Sequence, residues 1–309
     1  MTNEIVIPFK PRFPQNKLMP ILDAHRFSVL IMHRRAGKTV MLINQTVKRA
    51  LLNSQWEPRY AYIAPFLKQA KLTTWSYWKW YTSTIPGRTV NESELYISLP
   101  NGARIYLFGA DNPDAIRGPY WDGTILDEYA QIKPNVFDEI VRPALADRKG
   151  WSVFSGTPKG QNQFLEVYQT AQRKVSEGDP NWFHALYNVY DTNALDPAEV
   201  EMMRTTMPDS TFRQEFLCDF TASADNVLIP IDVVTAAAAR MKQANEYSQA
   251  PKVIGVDVAR FGDDRSVIMR RQGLQAFKPK IFRGIDLMSL VGHITHEIDE
   301  WKPDAVFID

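Results

Sequence analysis

At 309 residues with 45% apolar side chains, the chain has room for two packed domains, while a net charge of only +1 excludes recruitment of a polyanion by a global positive field and leaves that task to local basic patches. A single cysteine, Cys218, excludes an intramolecular disulfide framework, fits a reducing compartment and is expected as a small buried apolar residue. No apolar stretch approaches the length of a membrane span and the opening MTNEIVIPFKPR lacks a signal-peptide core, so a cytoplasmic protein with no membrane partner is expected.

The chain opens with a proline-punctuated segment in which Gln15 precedes a short helix. A glutamine amide both donates and accepts on one edge of an adenine, although that residue type suits an exposed surface equally well. Residues 27–39, FSVLIMHRRAGKT, are an apolar run that stops at a polar loop. The pattern predicts a buried strand, a phosphate-binding loop and a helix from about Lys38 through Leu51. In such a loop, backbone N–H groups and the first helical turn cradle phosphate oxygens, Lys38 neutralises the outer phosphates and the Thr39 hydroxyl holds Mg²⁺. The first glycine of G-x-x-x-x-G-K-[ST] is missing, since Met32 stands in its place, and a solvated basic turn fits the tripeptide alone.

Residues 59–65, RYAYIAP, read as a second short strand. Residues 67–81 carry Trp75, Trp78, Trp80 and Tyr81, an aromatic cluster that reads as core packing before a base-stacking platform. Residues 94–98 and 103–108 flank Pro100-Asn101-Gly102 and predict a hairpin with an Asn-Gly turn. Arg117 lies in a polar loop where it can sense phosphate. Residues 123–128, GTILDE, form a strand delivering Asp127 and Glu128 to its carboxyl end, where ligands of open α/β sheets sit. Asp127 suits magnesium binding and Glu128 suits polarising a water for attack on a γ-phosphate; an acidic helix cap is the plainer alternative.

Residues 151–160, WSVFSGTPKG, are a further strand ending in Ser155, Gly156 and Thr157, positioned to report a triphosphate's state or simply to turn. From 161 to 222 the pattern is mainly helical and predicts a lid subdomain, with 223–250 as a linker. A second unit opens with KVIGVDV, carrying Asp257, then a turn through Phe261, Gly262, Asp263 and Asp264, a return strand 266–270, a helix 287–301 and a strand 305–308 ending at Asp309. If the two acidic strands are neighbours, Asp257 and Asp309 reach one edge, as in two-metal nucleases; each is individually an ordinary surface aspartate.

In order and number these motifs resemble the large subunit of tailed-bacteriophage terminases, over nearly the whole chain. The family's deviant P-loop, lacking its first glycine and bearing arginine, corresponds to HRRAGKT. The resemblance implies an α/β fold: a P-loop (RecA/ASCE-like) ATPase domain with a mostly parallel sheet over 1–222, then an incomplete ribonuclease H-like α/β domain over 251–309. It assigns ATP binding to Gln15, Arg34, Arg35, Ala36, Gly37, Lys38 and Thr39, with Gln15 reading adenine and Arg34 as an arginine finger. It assigns catalysis to Glu128, Arg34 and Lys38, the ATPase Mg²⁺ to Thr39 and Asp127, coupling to Ser155, Gly156 and Thr157, and a nuclease Mg²⁺ or Mn²⁺ to Asp257 and Asp309. The family supplies a third acid beyond the position of Asp309, so the nuclease site is expected to be incomplete in this sequence. Implied partners are double-stranded DNA, a portal protein, a small terminase subunit and further copies in a pentameric ring, in the host cytoplasm and at the procapsid portal. A helicase or remodelling ATPase shares the elements up to Thr157 but predicts a second RecA-like domain; a non-catalytic assembly or DNA-binding module is the remaining alternative.

Overall fold

The computed structural model describes residues 5–222, 229, 231–240, 242–259 and 264–309, and the chain divides into two compact units, Met1–Ile231 and Asp232–Asp309. The first unit is built on eight strands: β1 (Phe27–Met32), β2 (Arg59–Ala64), β3 (Thr89–Asn91), β4 (Tyr96–Ser98), β5 (Arg104–Gly109), β6 (Gly123–Leu126), β7 (Trp151–Gly156) and β8 (Trp182–Tyr187). They lie in the order β3-β4-β5-β2-β6-β7-β1-β8. The six from β5 to β8 are mutually parallel, and β4 and β3 extend the edge antiparallel.

The apolar runs of β1 and β6 are buried at every position, as a parallel strand covered on both faces requires. Alternation divides their side chains between two cores. Leu30, Met32, Tyr62 and Val153 pack with helices α1 (Gln15–Ala24), α2 (Lys38–Leu52) and α3 (Leu67–Tyr81) through Leu18, Met41, Val47 and Trp78. Val29, Ile31, Ile63 and Phe154 face the other way, onto Phe137, Ile140 and Phe164. In α3, Trp75 and Trp78 enter the core whereas Trp80 is exposed, so the aromatic cluster is only partly core packing.

Two expectations are modified. The stretch 161–222 is not helical throughout: it contributes β8, which pairs with β1 in parallel, Phe27 opposite Trp182 through Met32 opposite Tyr187. β8 is an edge strand with no fully buried residue, although WFHALY is apolar at every position but His184. The hairpin joining β4 and β5 closes through a backbone bond from Leu99 N–H to Ala103 O at 2.8 Å, with Gly102 at φ +84°, so the left-handed residue is the third of a three-residue loop and not half of an Asn-Gly pair. Asn101 instead caps α2, its Nδ2 donating to the carbonyls of Ala50 at 2.8 Å and Asn53 at 3.0 Å. β3, which pairs with β4, carried no separate signal.

The second unit has a sheet of β9 (Lys252–Asp257), β10 (Arg265–Gln272), β11 (Gln275–Ala276), β12 (Lys280–Arg283) and β13 (Ala305–Ile308). β9 and β10 are antiparallel, β13 runs parallel to β9, and β11 and β12 pair with β10. The Leu287–Trp301 helix is capped by Asp286, which accepts from the N–H groups of Met288 and Ser289, and seats Leu290 and Ile294 on Ile254, Val256 and Ile268. Glu297, buried on that helix, is neutralised by Arg270 at 2.6 Å and by Lys280. Phe261, Gly262 and Asp263 of the expected turn lie outside the described residues. No helix of the described residues is long and apolar enough to cross a membrane.

Asn101→Ala deletes the two short bonds that close the end of α2, and a urea titration should show a loss of about 1–2 kcal/mol. An unchanged midpoint would remove the bracing role.

Candidate functional site

β1 delivers the chain to its carboxyl end at Met32, and α2 begins six residues later at Lys38. Met32 still pairs with Tyr187, so it is the last strand residue and no left-handed glycine is needed there. The loop after it is held from outside: His33 N–H donates to Tyr187 O at 3.0 Å and Arg34 N–H to Glu215 O at 2.8 Å. The His33 ring is buried, with Nδ1 against Arg34 O at 2.7 Å and Nε2 against the Thr192 hydroxyl at 2.6 Å.

Gly37 has φ +87°, and a Cβ there would stand 2.7 Å from Gln15 Nε2. The left-handed φ favours glycine, and any side chain there would also have to displace the Gln15 amide. Gly37 also stands at the N-cap of α2 with no side-chain cap, which leaves the first N–H groups of that helix pointing into the loop. The Lys38 ammonium is nearly buried and donates back to the carbonyls of Met32 at 2.9 Å and His33 at 3.2 Å.

Two strands away, β6 ends at Leu126 and Asp127 follows. The Thr39 hydroxyl donates to Asp127 Oδ2 at 3.2 Å, and the buried Tyr62 hydroxyl donates to the same oxygen. Asp127 Oδ1 is buried without a hydrogen-bond partner among the described residues. A hydroxyl beside a carboxylate with an unclaimed oxygen is a donor set that suits a hard divalent cation such as Mg²⁺. Glu128 adopts φ +51°, and burial, reinforced by the Asp127 carboxylate and partly offset by Lys38, holds its carboxyl above the usual range.

β7 lies between β1 and β6, so its carboxyl end stands between the loop and the acidic pair. Ser155 is fully buried and its Oγ has no partner among the described residues. A Cβ on Gly156 would come within 3.3 Å of Glu128 Cα, and Thr157 reaches the cleft wall. The cleft itself is about 700 Å³, bounded by Arg34, Arg35, Lys38, Thr39, Asp127, Glu128 and Thr157 on one side and by Gln69, Thr73 and Tyr77 of α3 on the other.

Several expected residues stand elsewhere. Gln15 is buried against the loop and does not line the cleft: its Oε1 accepts from Arg12 N–H at 3.0 Å and its Nε2 donates to Gly37 O at 3.0 Å. Its amide braces the backbone of the phosphate-binding loop. Arg117 pairs with Asp114 at 3.6 Å and is outside the cleft lining. The Arg34 side chain is 67% exposed and lies 3.8 Å from Glu215. Cys218 is buried as expected, and burial pushes its thiol up to about 12. Sequence reading missed Tyr62, Glu215 and the polar row of α3. The alternation Tyr60-Ala61-Tyr62-Ile63 marks Tyr62 as inward-facing, but nothing local ties it to a carboxylate 65 residues on.

In the second unit the two acidic strands are neighbours. Ile308 pairs with Val256 and Asp309 N–H donates to Val256 O at 3.0 Å, which brings Asp257 and Asp309 to one sheet end, both exposed. Among the described residues no group of three or more His, Cys, Asp or Glu side chains suited to a metal converges there or elsewhere.

A mixed, mostly parallel sheet with this loop and acidic pair at its carboxyl edge has the fold of phage large-terminase ATPase domains. That of Thermus phage P74-26 superimposes with a TM-score of 0.58 at 24% identity, over 69% of this chain and 95% of that one. The chain belongs to the terminase large subunit family, whose T4likevirus-type N-terminal domain matches residues 33–232. The terminase large subunit of Thermus phage G20c is 34% identical over 135 residues, 40% of this chain and 28% of that protein. That of Escherichia phage T5 is 25% identical over 317 residues, 97% of this chain and 70% of that protein. The chain therefore matches little more than a quarter of the G20c protein's length.

Burial is the chief reason the His33 pKa lies below its ordinary value. The unfolded chain, titrating near about 6.5, takes up a proton that the folded chain refuses until a lower pH, so stability drops as pH falls through that window. Between about pH 7.5 and about pH 5.5 the wild-type chain should lose stability relative to His33→Gln, read by urea titration at each pH. Parallel behaviour of the two proteins would rule out a buried neutral imidazole.

Proposed function

We propose that the first unit hydrolyses ATP to drive double-stranded DNA into a phage procapsid, and that the second is the opening part of a ribonuclease H-like nuclease domain. The observation carrying the ATPase reading is the junction of Thr39 with Asp127 beside Lys38, with one Asp127 oxygen unclaimed. ATP would lay its phosphates on the N–H groups of residues 35–39 and the uncapped start of α2. Lys38 would exchange its carbonyl partners for phosphate oxygens. Mg²⁺, held by Thr39 and Asp127, would neutralise charge on the β- and γ-phosphates.

Glu128 orients a water so that its oxygen bonds the γ-phosphorus as the bond to the ADP oxygen breaks, and takes the proton released. Its raised pKa makes it a better proton acceptor than an ordinary surface carboxylate. Arg34, exposed and weakly paired, stabilises the transferring phosphoryl group in its own site or in a neighbouring copy's. Ser155, Gly156 and Thr157, packed against Glu128, carry the change outward.

Family membership extends the reading to a portal protein, a small terminase subunit and a pentameric ring as partners. In the second unit Asp257 and Asp309 supply two carboxylates toward Mg²⁺ or Mn²⁺ for phosphodiester cleavage. The antiparallel β9–β10 hairpin speaks against a second RecA-like domain and so against the helicase alternative.

Lys38→Ala should cut ATP turnover by about 100-fold or more with the far-ultraviolet spectrum unchanged. Full residual turnover would sink the assignment. Glu128→Gln should bind a fluorescent ATP analogue like the wild type yet fail to hydrolyse ATP, with or without duplex DNA; a hydrolysing variant would move the water-orienting role to another group.

A further inference from the structure

We propose that Tyr62 is a positioning residue for the nucleotide-associated cation, holding the Asp127 carboxylate so that Oδ1 alone is turned toward the metal; this rests on the ATPase reading above. Tyr62 stands on β2 directly beside β6, opposite Ile125, and Asp127 N–H continues the ladder between these strands by donating to Ile63 O at 2.9 Å. The backbone of Asp127 is thus fixed, and its side-chain torsions are what remain to be set.

Two hydroxyls set them. Tyr62 and Thr39 both donate to Oδ2, from β2 and from the start of α2, and together they occupy one oxygen and leave the other bare. A buried carboxylate oxygen without a partner costs free energy unless something takes it. Its burial alongside a doubly bonded Oδ2 points to a carboxylate built to offer one oxygen in one direction. Thr39 cannot do this alone, because in the proposed reading its own oxygen is a metal ligand. Tyr62 lines the cleft beside Asp127, and the role proposed for its hydroxyl is exerted through that carboxylate.

The phenol is itself held. Its ring meets Trp78 of α3 edge to face at 5.7 Å, both residues are buried, and α3 presents Thr73, Thr74 and Tyr77 to the same cleft. A hydrogen bond from an outer residue to a metal-ligating carboxylate commonly governs about 10–100-fold in metal affinity.

The test is Tyr62→Phe, which keeps the ring and its packing and deletes the hydroxyl. Affinity for a fluorescent ADP analogue is measured with and without Mg²⁺, beside Thr39→Ala and the wild type. Tyr62→Phe should bind the metal-free nucleotide as the wild type does, while the gain in affinity brought by Mg²⁺ falls about tenfold. A merely structural tyrosine would weaken both conditions equally or neither, and either result overturns the proposal. If Thr39→Ala also leaves the Mg²⁺ gain intact, the ATPase site assignment has failed; if it abolishes the gain while Tyr62→Phe does not, only the role of Tyr62 has.

Discussion

The hydrogen bond from Thr39 to Asp127 joins the start of α2 to the end of β6 across the width of β7. For it to form, three parallel strands must stop at nearly the same level, and the turn after β1 must be tight enough to start α2 there. Register supplies the first condition: Leu30 and Ile31 lie opposite Ser155 and Gly156, and Leu126 lies opposite Phe154. Gly37 supplies the second, since its positive φ reverses the chain into the helix. A one-residue slip of any of these strands would exchange its side chains between the two packed cores and move its loop, so the cores hold the site's geometry.

Much of that arrangement is legible in the sequence. β1, β2, β6 and β7 are short apolar runs, stopped by a polar or glycine-bearing segment or, after β2, by Pro65, and each stop lands at the cleft, because parallel strands deliver their carboxyl ends to one edge. Met32 is the instructive position. As a missing glycine it looks like a defect in a motif; in the fold it is a strand residue paired with β8, and the loop obtains its shape from Tyr187 and Glu215 instead. β8 had to be known to explain it, and β8 is an edge strand inside a stretch whose pattern reads mainly as helix. Gln15 was legible as a polar recognition group, but only three-dimensional placement shows that its amide also holds the loop's own backbone at Gly37 O. Tyr62 was invisible because its partner is a long-range one.

The second unit shows the same division. Its acidic strands were legible, and their adjacency is now concrete in the pairing of Ile308 with Val256. The buried Glu297 was not, since the helical pattern of 287–301 gives no warning that a carboxylate on it meets Arg270 and Lys280 from two strands. An ion pair of that kind holds only while all members are present, because a lone buried charge costs far more than the pair returns.

The loop's anchorage suggests how hydrolysis and movement are joined in the proposed motor. His33 and Arg34 are tied not to the elements beside them in sequence but to Tyr187 at the end of β8 and to Thr192 and Glu215 beyond it. Lys38, the residue that in the proposed reading releases Met32 O and His33 O to take phosphate, pulls on His33 as well. Phosphate occupancy and the seating of the segment after β8 are therefore coupled through one residue's backbone and ring, His33, without any intervening flexible link. On the other side, Glu128 packs against Gly156 closely enough that a Cβ would be crowded. The site is thus gripped from two directions, by a segment behind the loop and by the end of β7 behind the acid, and in the proposed motor a change in phosphate charge would act on both.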